Sequence, residues 1–173
     1  MANIPENLED ILKKSIQLEE EGKKFYLESA KKIKNSLGKR MLERLAADEV
    51  HHIERIKEIY EAITDDKVDD FVVSEANPVS FNDIFNRMKE QLQDAVEEMS
   101  ETGVDDAEMI EMALELEHHG HFFYADAAKK VKDKKVKQFY EMLAEEEKAH
   151  YDVLRKTHGF LEDPGLFFSM AHH

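Results

Sequence analysis

Glu19, Glu49 and His52 return 98 residues later as Glu117, Glu147 and His150. Two carboxylates and one imidazole, written twice, are what a protein needs to hold two metal ions. Four carboxylates carry about four negative charges and two divalent cations carry four positive ones, so the filled set would be neutral. Oxygen ligands with a single imidazole per ion suit iron or manganese better than zinc, which favours thiolates or several imidazoles. Glu49-x-x-His52 and Glu147-x-x-His150 place their side chains on one helix face at i and i+3. Each histidine lies beside its own glutamate, which makes Glu49 and Glu147 the expected bridging pair and Glu19 and Glu117 the expected terminal ligands.

The recurrence belongs to a longer repeat. Residues 15–58 align with 113–156 without a gap, and fifteen of the 44 positions are identical, where composition alone predicts about three. Tyr26 and Tyr124 match across the copies, as do Gly22 and Gly120. Each tyrosine follows a ligand glutamate by seven residues, about 10 Å along a helix axis. That is too far to bond its own glutamate, but a carboxylate on a neighbouring helix is within reach. Tyr26 and Tyr124 are therefore candidate hydrogen-bond donors to the site, able to pass a proton or an electron. A glycine inside a helix costs about 1 kcal/mol relative to alanine. Room for a small ligand beside the metals and close helix packing are both adequate reasons for Gly22 and Gly120. Glu-x-x-His taken singly is a weak signal, since Glu115-x-x-His118 also matches. Its repeat partners are Gln17 and Glu20, so this pair is expected to be solvated.

Four amphipathic segments must carry these residues. Apolar spacing predicts helices over about 7–34, 39–63, 105–131 and 134–157, with Asn35-Ser36-Leu37-Gly38 as the first turn. Glu19 and Glu117 sit in apolar stripes between Ile16 and Tyr26 and between Leu114 and Tyr124. The Glu-x-x-His faces are set by Leu45 and Ile53 and by Leu143 and Leu154. Short connections imply two antiparallel hairpins, and residues 81–99 predict an additional helix in the crossover that joins them. The expectation is an all-α chain with a single domain over 1–173: a four-helix bundle of two repeated hairpins (8–63 and 105–158), a crossover (64–104) and a tail (159–173). The tail carries Phe160, Leu161, Leu166, Phe167, Phe168 and Met170, and should pack on the bundle or on a second subunit. His172 and His173 receive no role.

Charged residues make up 36% of the 173, and the formal net charge is -15. That balance disfavours nucleic acid and anionic membranes as partners. The absence of cysteine excludes disulfides, thiolate zinc and cysteine-bound iron within the chain. With no basic leader and no apolar run of spanning length, the expected location is the cytoplasm.

At these residues the sequence resembles the rubrerythrin branch of the ferritin-like di-iron proteins, over residues 8 to 158. The resemblance implies a ferritin-like bundle and a non-haem di-iron centre ligated by Glu19, Glu49, His52, Glu117, Glu147 and His150. It further implies reaction with hydrogen peroxide or dioxygen in a cytoplasmic protein, often a homodimer. Rubrerythrins append a cysteine-bound rubredoxin iron, which this chain lacks, so a separate electron-donor protein is expected. They also carry an extra glutamate three positions after the third helix's ligand, where this chain has Gly120. A ferroxidase or iron-storage role, a dimanganese catalase-like site and a helical interaction protein are the rival readings.

Overall fold

The computed structural model describes residues 7–74, 79–94 and 103–165. Among these residues five helices carry the fold: α1 (Leu8–Lys32), α2 (Ser36–Thr64), α3 (Phe81–Asp94), α4 (Gly103–Lys130) and α5 (Lys134–Glu162). Asn7 caps α1 by accepting the Glu9 N–H at 2.8 Å, with Glu9 and Asp10 in the first turn and Lys31 and Lys32 in the last. Both charge placements complement the helix dipole.

The first turn is shorter than the spacing predicts. Asn35 is the N-cap of α2 and accepts the Gly38 N–H at 2.9 Å, so Ser36, Leu37 and Gly38 are helical. A Cβ at residue 38 would lie 2.6 Å from Ile33 Cδ1; glycine lets the incoming chain close onto the new helix. Asp133, the repeat counterpart of Asn35, caps α5 by accepting from Lys135 and Val136 at 2.9 and 3.1 Å. Buried Asp106 on α4 ties the first turn to the second hairpin, accepting from the Lys34 and Asn35 N–H groups at 3.1 and 2.9 Å.

α1 packs antiparallel on α2, and α4 on α5. The hairpins then meet α2 against α5 and α1 against α4. This is the expected all-α, ferritin-like four-helix bundle. Its apolar interior falls into two clusters. One holds Tyr26, Ile33, Leu42, Leu45, Ile110 and Leu154, and the other holds Leu12, Ile56, Tyr124, Phe139, Tyr140 and Leu143. On every one of the four helices the candidate ligands lie between the residues of one cluster and those of the other. A polar layer is thus enclosed at mid-bundle by an apolar cap above and below.

The crossover contains a short 3-10 turn (Val68–Asp70) and then α3, which lies against α2 and α5. Phe71 packs edge-on to Phe139 at 5.8 Å, with the Arg55 guanidinium 4.5 Å above its ring. The last helix continues beyond its predicted end at 157 to Glu162. Phe160, expected in a separate tail, is instead fully buried in this helix and meets Phe85 of α3 edge-on at 5.7 Å. Burial of that ring outweighs the poor helix propensity of Gly159. The predicted parts of α3 beyond residue 94, including Val96 and Met99, and the tail residues 166–173 lie outside the described residues. Among the described residues no helix is long and apolar enough to cross a membrane.

Phe160→Ala removes the ring that fastens the end of α5 to α3. It should lower unfolding stability by about 3–5 kcal/mol, measured by denaturant unfolding, with the far-UV helix signal retained.

Candidate metal centre

Glu19 comes from α1, Glu49 and His52 from α2, Glu117 from α4, and Glu147 and His150 from α5. The bundle brings all six to the polar layer, and none is more than 4% exposed. Glu19, Glu49, His52 and Glu147 each offer a ligand atom within 4.8 Å of the others, and so do Glu49, Glu117, Glu147 and His150. Glu49 and Glu147 belong to both groups. Glu115 and His118 do not join them, being exposed on α4.

The two imidazoles stack at 5.8 Å and 20°, and each divides its nitrogens between inside and outside. His52 Nδ1 faces Glu19 Oε2 at 3.3 Å and Glu147 Oε1 at 3.6 Å. His150 Nδ1 faces Glu117 Oε1 at 3.2 Å and Glu49 Oε1 at 3.5 Å. The outer nitrogens contact two further acids: His52 Nε2 bonds Glu146, and His150 Nε2 bonds Asp48 at 3.0 Å. Sequence reasoning missed this pair. Asp48 and Glu146 occupy equivalent repeat positions directly before each Glu-x-x-His, but they differ in identity, so a search for identical residues passes over them.

The tyrosines cross between hairpins as their spacing suggests. Tyr26 on α1 donates to Glu117 on α4, and Tyr124 on α4 donates to Glu19 Oε1 on α1 at 2.5 Å. Beside Tyr124 lies a pair without a counterpart in the other half. Ser15 Oγ donates to Ile11 O at 2.6 Å and therefore accepts from Tyr140 at 2.9 Å. The equivalent positions are Ala113 and Leu42.

Burial opposes a charged imidazole at both histidines, but the carboxylates prevail. Glu19, with the hydrogen bond to Glu146, raises His52 to about 9. Glu117 and Asp48 raise His150 to about 10. Burial would raise Glu117 as well, yet His150 and the Tyr26 hydroxyl hold it below the usual carboxylate range. Burial, followed by the charges of Glu117 and Glu19, pushes Glu147 well above that range. With protons as the only cations, the layer is thus held together by imidazolium charge and a carboxyl proton. Glu117 Oε2 and Glu147 Oε1 are buried without a hydrogen-bond partner among the described residues. Unpartnered carboxylate oxygens are costly, and four carboxylates with two inward imidazole nitrogens form a donor set that two hard divalent ions fit.

Gly22 and Gly120 lie directly over this set. A Cβ at residue 22 would lie 3.4 Å from Glu49 Oε2, and one at 120 would lie 2.9 Å from Glu147 Oε2. The same glycines line a cleft of about 130 Å³ between α1 and α4, flanked by Leu18 and Leu116 and ending on the four glutamates and both tyrosines. The two reasons for these glycines therefore hold together: close approach to a carboxylate, and a small opening beside it.

Gly22→Ala fits in ordinary contact and should be neutral or stabilising by up to about 1 kcal/mol through helix propensity. Gly120→Ala overlaps Glu147 and should lower metal affinity at least tenfold; parallel cobalt(II) titrations and melting curves distinguish the two. A second prediction concerns protons. Metal must take Nδ1 from two imidazoles that are charged at pH 7, so loading should release at least two protons per chain. Because protons compete with metal, affinity should rise with pH and level off above about 10. Calorimetric titrations in buffers of different ionisation enthalpy count the protons.

No curated protein and no solved structure has significant similarity to the chain. The rubrerythrin family profile matches residues 10–158, a span that contains all four bundle helices' contributions to the polar layer. The chain belongs to the rubrerythrin family.

Proposed function

We propose that the chain holds two iron ions among Glu19, Glu49, His52, Glu117, Glu147 and His150, and reduces hydrogen peroxide with electrons from a separate donor protein. The observation that carries this reading is the pairing of two four-residue groups sharing Glu49 and Glu147 with a cleft that ends on those same carboxylates. A water occupies about 30 Å³ of liquid. A cleft of about 130 Å³ therefore has room for peroxide or dioxygen beside the carboxylates.

Iron held by these six residues would supply Lewis acidity and the two electrons needed to reduce the peroxide. The remaining requirements fall to the chain's own residues. Reduction to two waters consumes two protons as well as two electrons. Tyr26 and Tyr124 line the cleft, and burial, followed by the charge of Glu117 or Glu19, raises each hydroxyl well above its ordinary pKa. Both therefore keep their protons at neutral pH, positioned on carboxylate oxygens at the floor of the cleft. That suits a general acid held in reserve more than a pre-ionised base. Leu18 and Leu116 give the cleft an apolar wall. The residues of this chain include no cysteine to hold an accessory iron, and the electrons that restore the reduced state are assigned to a separate donor protein.

Anaerobic loading with iron(II), followed by peroxide or dioxygen and watched by absorbance, tests the proposal. Oxidation should be at least tenfold faster with peroxide than with dioxygen. The double variant Tyr26→Phe/Tyr124→Phe should slow the peroxide reaction by about 10²-fold while still binding two irons. Faster oxidation by dioxygen, with iron uptake far above two per chain, would instead establish a ferroxidase. Manganese in protein purified without added metal, with peroxide disproportionated in the absence of any donor, would establish a catalase-like site.

A further inference from the structure

We infer that Asp48 and Glu146 are positioning residues, each fixing the ring of the histidine on the opposite hairpin so that its Nδ1 faces the metal. The inference rests on the reading of the six buried residues as metal ligands. It assigns a function to two acids outside that set.

The contacts cross between the hairpins in both directions. His52 on α2 turns its Nε2 to Glu146 on α5, and His150 on α5 turns its Nε2 to Asp48 on α2 at 3.0 Å. A carboxylate at Nε2 holds a proton on that nitrogen, leaving the lone pair on Nδ1, the nitrogen that faces the cluster. Neither acid is itself in a four-residue group. Both are partly exposed, with side chains 21% and 14% accessible, so they sit at the rim as supports rather than as additional ligands. Asp48 is held from outside by Arg44 Nε at 3.1 Å, which leaves its second oxygen directed at His150.

Because every clamp comes from the other hairpin, neither half-site is complete without its partner. Each imidazole takes its orientation from a helix whose own glutamate belongs to both groups. The two clamps also differ by one methylene, so the half-sites should be unequal in affinity even though their ligands are the same.

The test uses the full chain and cobalt(II), with Asp48→Ala, Glu146→Ala and the milder Asp48→Asn. The unsubstituted protein should bind two cobalt ions. Its proton NMR spectrum should show two paramagnetically shifted, solvent-exchangeable Nε2–H resonances. Asp48→Ala should lose one of these to fast exchange and weaken one ion by about 10–100-fold; Glu146→Ala should lose the other. Asp48→Asn keeps an oxygen acceptor, so it should retain its resonance with a smaller loss of affinity. It covers the case in which an alanine variant does not fold, which circular dichroism reports. If the unsubstituted chain binds two ions and both alanine variants keep both resonances and full affinity, the clamp assignment is overturned while the metal reading stands. If the unsubstituted chain binds no cobalt, both are overturned.

Discussion

Burying four carboxylates in one layer of a helical bundle is the constraint on which the rest of the structure depends. Each buried charge costs several kcal/mol after relaxation, and breaking a compensated set is worse than never having formed it. Glu19, Glu49, Glu117 and Glu147 also repel one another, so the layer tolerates them only with positive charge among them. Protons on His52 and His150 supply part of it, and two divalent ions would supply all of it. The apolar clusters above and below keep the four helices from splaying to let water in. They convert the electrostatic cost into affinity for a cation.

The duplicated hairpin explains how so small a chain builds such a layer. A single hairpin presents a glutamate, a Glu-x-x-His pair and a tyrosine. Each inner histidine nitrogen meets the glutamate of its own hairpin, but the tyrosine hydroxyl and the outer histidine nitrogen take their partners from the other. Tyr26 reaches Glu117 and Tyr124 reaches Glu19. The outer histidine nitrogens likewise reach across. Satisfaction of polar groups therefore requires both copies docked in register, which makes the metal layer a specificity device as well as a site. The departures from symmetry lie around the ligands. Among the described residues α3 packs on α2 and α5, Tyr140 and Ser15 support one tyrosine only, and Gly120 is more tightly placed than Gly22.

Much of this was legible in the sequence because helix periodicity and the repeat constrain each other. Periodicity identified the face, and the repeat identified which polar residues on that face recur. Six ligand candidates, two tyrosines and the solvated Glu115 and His118 follow from those two rules. The same rules explain the omissions. Asp48 and Glu146 perform one task with different side chains, so identity hides what chemistry shares. Asp106 has no local signature, because its partners are the N–H groups of Lys34 and Asn35, over seventy residues earlier. The end of α5 lies beyond the predicted 157 because Phe160 has a tertiary site against α3, which no local spacing announces.

Gly22 and Gly120 join the two halves of the functional argument. Removing a Cβ from α1 or α4 lets a glutamate from the neighbouring helix lie directly beneath that helix, where it can serve both groups at once. The space that remains above it is the cleft. Ligand placement and access to the ligands are therefore one property of the backbone rather than two separately adjustable ones. A methyl at residue 120 would both narrow the opening and press on Glu147, whereas one at residue 22 would come only into contact with Glu49. The cost of two mid-helix glycines, about 1 kcal/mol each, is then set against a site whose shared carboxylates and entrance are shaped by the same absent atoms.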